Sequence, residues 1–176
     1  MSTDADQARF EAIFRAHYAA VLEYALRRSG DPAAAGDVVS ETFLVAWRRL
    51  DAVPEEPRAW LYQVARRALA NERRSSRRQQ AVADAMSVSE RDTSLAGAGD
   101  VSDRVIRGDV ALRALQSLSD ADREILRLAA WEELDPADIA TVLQCARATV
   151  PVRLHRARRR LSKALAVAGH IPTDTP

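Results

Sequence analysis

The chain has 176 residues, 47% apolar and 29% charged with a net charge of +1, enough for one medium hydrophobic core or two small ones. Six Gly, seven Pro and three each of Trp, Tyr and Phe, against abundant Ala, Leu and Arg, argue against a sandwich or barrel, and an all-α fold is expected. One cysteine, Cys145, excludes an internal disulfide framework, and three scattered histidines (His17, His155, His170) add no metal-ligating constellation, so no metal or cofactor is expected.

In chain order, the opening Met1-Ser-Thr-Asp-Ala-Asp-Gln is acidic and polar where a signal peptide is basic then apolar. No run approaches the roughly 18 apolar residues of a membrane span, so a cytosolic protein is expected. Phe10, Ile13, Phe14, Tyr18, Val21, Leu22 and Leu26 then share one helical face that ends at Arg28-Ser29-Gly30. Asp31-Pro32 supplies a cap and a first-turn proline for a second helix, with Val39, Phe43, Ala46, Trp47 and Leu50 inward. Pro54 and Pro57 interrupt the pattern within an acidic loop. A third helix is predicted from about Arg58 to Arg78, with Leu61, Val64, Ala65, Ala68 and Leu69 on one side. At about 100° per residue, Arg66, Arg67, Arg73, Arg74 and Arg77 fall on the other side.

From Gln79 to about Ser102 the periodicity disappears into Ser, Ala, Gly, Asp and Thr, the composition of a flexible linker. Two small helical domains are therefore expected, over 8–78 and 103–168. The second has four helical patterns, at about 103–117, 120–131, 136–143 and 148–168, with a capping-box-like start at Ser119 and Asp122 and a second Asp-Pro start at Asp135-Pro136. In the last pattern Val150, Leu154, Ala157, Leu161 and Leu165 form an apolar stripe, and Arg153, Arg156, Arg160 and Lys163 project from the other side. A short helix followed closely by a longer basic one is the layout of a helix-turn-helix.

All but one of the 26 basic residues are Arg, and they cluster: six from Arg66 to Arg78 opposed only by Glu72, and seven from Arg147 to Lys163 with no acid among them. Two positive stripes in a balanced chain point to two contacts with a polyanion. There is no glycine-rich phosphate loop or nucleophile elbow, and the histidines lie far in sequence from any nucleophile, so an enzyme is not expected.

Three stretches, Asp37-Val-Val-Ser-Glu-Thr-Phe-Leu-Val-Ala-Trp-Arg, Trp60-Leu-Tyr-Gln-Val-Ala-Arg-Arg and Leu154-His-Arg-Ala-Arg-Arg-Arg-Leu, resemble the extracytoplasmic-function class of bacterial sigma factors. The resemblance covers about residues 8–78 and 103–168. It implies a promoter-specificity subunit that binds core RNA polymerase, recognises promoter DNA and is commonly held inactive by an anti-sigma factor. It matches Asp37, Glu41 and Phe43 to polymerase docking, where Phe43 equally suits core packing and Trp47 suits the core.

It matches the helix from Arg58 to the part that reads and melts the minus-ten element. Melting needs rings to capture an unstacked base and cations to hold the backbone. Trp60 and Tyr62 supply rings, with a buried anchor as the other reading of Trp60, and the arginine face supplies phosphate contacts. The loop Asp51 to Pro57 lies where the family captures a flipped base, although its acidic sequence departs from the commoner glycine- and serine-containing form. The helix-turn-helix matches the reader of the minus-thirty-five element, with Arg153, His155 and Arg156 on its DNA-facing side, Thr149 at its start and Arg158 to Arg160 as phosphate contacts or solvated surface.

The family pattern of glycine, threonine, valine and lysine at the start of that helix is replaced here by Ala148-Thr149-Val150-Pro151, and the usual glycine and aliphatic residue of the turn by Gln144-Cys145. Proline beyond the first turn breaks a helix, so the helix is expected to start late, with Thr149 as cap and Pro151 in the first turn. A different reading of the chain is a stand-alone helix-turn-helix regulator with a ligand-binding or dimerising first half. The motif from Asp37 to Trp47 is unexplained by it.

Overall fold

A computed structural model describes residues 3–86 and 103–168. Among them every regular element is helical, as the composition predicts. The chain divides into two compact units, Met1–Arg91 with Thr141–Gln144, and Asp92–Ala140 with Cys145–Pro176.

The first unit is built on α1 (Asp4–Ser29), α2 (Pro32–Arg48) and α3 (Arg58–Met86), each packed on the other two. A reciprocal capping box opens α1: the Asp6 amide donates to the Thr3 hydroxyl (3.2 Å) and the Thr3 amide to the Asp6 carboxylate (3.1 Å). These hydrogen bonds hold the Asp6 carboxyl below its ordinary value. Gly30 closes the helix at φ 71°, with its amide on the Leu26 carbonyl (3.0 Å). The Asp31 carboxylate then accepts from the amides of Ala33 (3.2 Å) and Ala34 (3.0 Å), and Pro32 in the first turn has no amide to leave unpaired.

The apolar faces converge on Val21, Tyr24 and Ala25 of α1, Val38, Val39, Phe43 and Ala46 of α2, and Leu61, Tyr62, Ala65, Ala68 and Leu69 of α3, all buried. Thr42 lies among them because its hydroxyl donates to the Val38 carbonyl (2.6 Å). A 3-10 turn at Leu50–Ala52 leads from α2 into the acidic loop before α3.

The third helix runs to Met86, eight residues past its predicted end. Gln79 to Met86 carries neither Gly nor Pro and is rich in good helix formers, so lost periodicity did not mean lost helix. The rest of the expected linker, 87–102, lies outside the described residues.

In the second unit α7 (Val150–Ala168) packs on α4 (Asp103–Gln116) and α5 (Asp120–Ala130). The predicted first three spans fall within a residue of those observed. Ser119 caps α5 by accepting from the Asp122 amide (3.2 Å), but the expected reciprocal box does not close. Instead the Asp122 carboxylate accepts from the Ser119 hydroxyl (2.9 Å) and from Arg160 of α7 (2.9 and 2.7 Å). The carboxylate of Asp135, opening α6 (Pro136–Leu143), accepts from the amides of Ala137 and Asp138 (2.7 and 2.8 Å), which hold its carboxyl below the ordinary value.

Candidate nucleic-acid interface

The third helix presents its two sides as the spacing predicts. Leu61, Val64, Ala65, Ala68 and Leu69 are buried, while Arg66, Arg67, Arg73, Arg74 and Arg77 are exposed. Two of these arginines also serve the fold. Arg73 donates to the Arg28 carbonyl across the unit (3.0 Å), and Arg74 to the Ala70 carbonyl (3.2 Å) and the Asn71 side chain (2.7 Å).

Trp60, at the start of α3, is half-buried. Tyr62 is different. It is 1% exposed, its ring stacks on Tyr24 at 4.6 Å and 12°, and Arg58 lies over it at 5.7 Å. This corrects its expected role: position 62 falls on the margin between the cationic face and the apolar stripe, in line with both Arg66 and Leu69, and the packing of Tyr24 makes it a core ring with no face left for a base.

Between α2 and α3 the loop is anchored by buried Leu50, Val53 and Pro57, and Pro54, Glu55 and Glu56 are exposed. Arg9 of α1 donates to the Leu50 carbonyl (3.1 Å) and the Val53 carbonyl (2.7 Å). His17, two turns further along α1, is held below its ordinary value of 6.5 by burial and by the positive charge of Arg58, against a smaller opposite pull from Glu56.

On α2, Asp37 and Glu41 are exposed one turn apart. Phe43, expected to be equally suited to packing and partner contact, is 4% exposed, with Phe14 at 4.8 Å and Phe10 at 6.5 Å between centroids. This places Phe43 in the core. Trp47, expected in the core, is 38% exposed, and Leu44 is 46% exposed on the same side as Asp37 and Glu41. Phe14 and Tyr18 of α1, in contact with each other at 5.1 Å between centroids, are exposed as well. Leu44 could have been found from sequence, three residues from Glu41 and seven from Asp37. The α1 rings could not, because their exposure is set by how α1 meets α2.

The start of α7 answers the proline question. A 3-10 turn at Arg147–Thr149 precedes the α-helix, which begins at Val150 with Pro151 second. The Val150 amide takes the Arg147 carbonyl. In a helix continuous from Arg147 that carbonyl would wait for the amide proline lacks, so the tighter turn removes the cost. Thr149 is no acceptor cap, since its hydroxyl donates to the Ala146 carbonyl (2.7 Å). Arg153, His155 and Arg156 are exposed on α7; of the stripe expected to be buried, Val150 and Ala157 are buried, Leu154 and Leu161 half-buried, and Leu165, in the last turn, exposed. Arg160, grouped with solvated or phosphate-binding arginines, is tied to Asp122 instead.

Gln144, in the turn where the family resemblance implies a glycine, adopts φ 53°, the left-handed conformation glycine favours. An apolar feature of the second unit is a cavity of about 230 Å³ lined in part by Leu115, Leu126, Trp131, Leu161 and Leu165, with Arg127 over the exposed Trp131 ring at 5.6 Å. Among the described residues no group of three His, Cys, Asp or Glu could hold a metal ion, and no helix is long and apolar enough to cross a membrane.

The first unit carries a match to Sigma-70 region 2 over residues 13–79, and the second a match to Sigma-70 region 4 over residues 109–161. Over 169 residues the chain is 35% identical to the ECF RNA polymerase sigma factor SigL of Mycobacterium tuberculosis, covering 94% of this chain and 93% of that one. The chain belongs to the extracytoplasmic-function sigma factors. Among solved structures, sigma factor RpoE of Bartonella quintana, in complex with the anti-sigma factor NepR, has a TM-score of 0.64 and 25% identity, covering 90% of this chain and 97% of that one. CnrH in complex with the cytosolic domain of CnrY shares the fold at a TM-score of 0.61 and 23% identity, covering 92% of this chain and 90% of that one.

As an extracytoplasmic-function sigma factor the protein is a promoter-specificity subunit that binds core RNA polymerase and promoter DNA to initiate transcription. Nothing in the two region matches supports a regulator acting without polymerase.

Proposed function

We propose that this sigma factor divides its work by helix face. Exposed Arg66, Arg67, Arg73, Arg74 and Arg77 of α3 hold promoter phosphates at the minus-ten element, and the half-buried Trp60 stacks its ring on an unpaired base. In the second unit Arg153, His155 and Arg156 of α7 face the major groove of the minus-thirty-five element, where a guanidinium can bind guanine in two-pronged fashion. Polymerase docks on α2 through Asp37 and Glu41, together with exposed Leu44 and Trp47 beside them; Phe43 supports this surface from below. The observation that carries the reading is an exposed arginine face on each helix that the family resemblance matches to DNA, backed on α3 by a buried apolar stripe and on α7 by buried Val150 and Ala157.

The role is non-catalytic and is exercised wherever core polymerase works. The working domains are 8–86 and 103–168, with 87–102 joining them. An anti-sigma factor is the expected antagonist, because the sigma factor RpoE is found in complex with one. Run-off transcription with core polymerase tests the whole reading. Asp37→Arg and Glu41→Arg should abolish core association with melting temperature preserved, since both carboxylates are exposed. Unaltered association would remove α2 from the docking surface.

A further inference from the structure

Arg9 is an exposed residue of α1 whose guanidinium, in part-buried hydrogen bonds, reaches 41 and 44 residues along the chain and ends on backbone rather than on a carboxylate. One of its terminal nitrogens donates to the Leu50 carbonyl and the other to the Val53 carbonyl, bracketing the 3-10 turn that starts the loop before α3. A planar fork spans two acceptors in a fixed relation, which a single ammonium cannot do. The loop has no glycine and is buried at Leu50, Val53 and Pro57, while its tip, Pro54-Glu55-Glu56, is exposed immediately before the cationic helix. Where the tip sits relative to Trp60 and the arginine face is therefore set by three apolar anchors and this fork. Two carboxylates at the tip repel phosphate, so what the tip contributes to DNA binding lies with bases rather than backbone.

We infer that Arg9 is a positioning residue for promoter selectivity: it fixes the Leu50–Pro57 loop so that the loop tip discriminates among bases at the downstream element. The inference rests on the reading of the first unit as the minus-ten reader, and goes beyond it in giving an α1 side chain remote in sequence control over which bases are accepted. It touches no base itself. Its loss alters base preference without altering phosphate contacts or polymerase docking.

The test uses holoenzyme made from core polymerase and the full chain, with a pool of promoter fragments randomised across the downstream element. Wild type, Arg9→Ala and Arg9→Lys are compared for sequence enrichment in open complexes, salt slope of binding, core affinity and melting temperature. For Arg9→Ala the enrichment of the preferred sequence should fall about fivefold or more, the scale of a single mismatched position. Salt slope and core affinity should stay at wild-type values, and Arg9→Lys should fall between the two. Unchanged enrichment overturns the inference and leaves the minus-ten reading intact. A fall in enrichment that only follows a parallel fall in core affinity and melting temperature also overturns it, by making Arg9 a fold residue. Failure of the wild type to enrich any downstream sequence overturns the minus-ten reading and this inference with it.

Discussion

Gln144 shows how a single backbone angle explains a sequence departure. At φ 53° a side chain crowds its own carbonyl, a strain of about 1 kcal/mol that glycine avoids. Gln144→Gly should accordingly raise stability by about 0.5–1 kcal/mol in denaturant unfolding, with part of the relief offset by the greater freedom of the unfolded chain. A loss of stability would mean that the Gln side chain makes up for its backbone. His17 gives a pH signature. Burial first, then Arg58, lower its value from 6.5, so below that pH the unfolded chain takes up protons that the folded one refuses. Stability is therefore full above about pH 6.5 and declines as pH falls toward the lower folded value. His17→Asn should flatten that decline in unfolding midpoints between about pH 5 and 7; an unaltered decline would assign it to other groups.

At the scale of elements, the starts and stops were the most legible part of the sequence. Asp31-Pro32 and Asp135-Pro136 each give the carboxylate-to-amide caps that their chemistry requires, and Gly30 adopts the left-handed stop. Helix faces were legible wherever apolar spacing was regular. Tyr62 and Trp47 were misread, and Phe43 and Arg160 were left between two readings, because a residue at the margin of a face is decided by the neighbouring helix. Tyr24 covers Tyr62, and Asp122 captures Arg160, and neither partner is close in sequence. The Arg160 pair leads to a contrast within α7. Arg160→Ala should lower stability by at most about 1 kcal/mol, as its guanidinium is largely exposed. It should leave the salt slope of promoter binding unchanged, whereas Arg156→Ala should reduce that slope without altering the melting temperature. The reverse pattern would exchange their roles.

At the scale of the whole molecule, a net charge of +1 conceals two cationic faces, one in each compact unit, set against an apolar stripe that is buried along α3 and only at Val150 and Ala157 along α7. That organisation was readable from charge clustering and periodicity together, and the two region matches fall on the two units. The unreadable part was the surface around Asp37 and Glu41, whose exposed rings depend on how α1 meets α2. The central claim is that the α3 face holds promoter phosphates. Its most direct test is the dependence of holoenzyme promoter affinity on salt concentration, compared between wild type and the Arg66→Ala, Arg67→Ala and Arg77→Ala variants. Each lost phosphate contact should reduce the slope of log K against log salt by about 0.7–0.9 and weaken binding alike across promoter sequences. Slopes equal to wild type in all three variants would make the face a solvated surface and contradict the account.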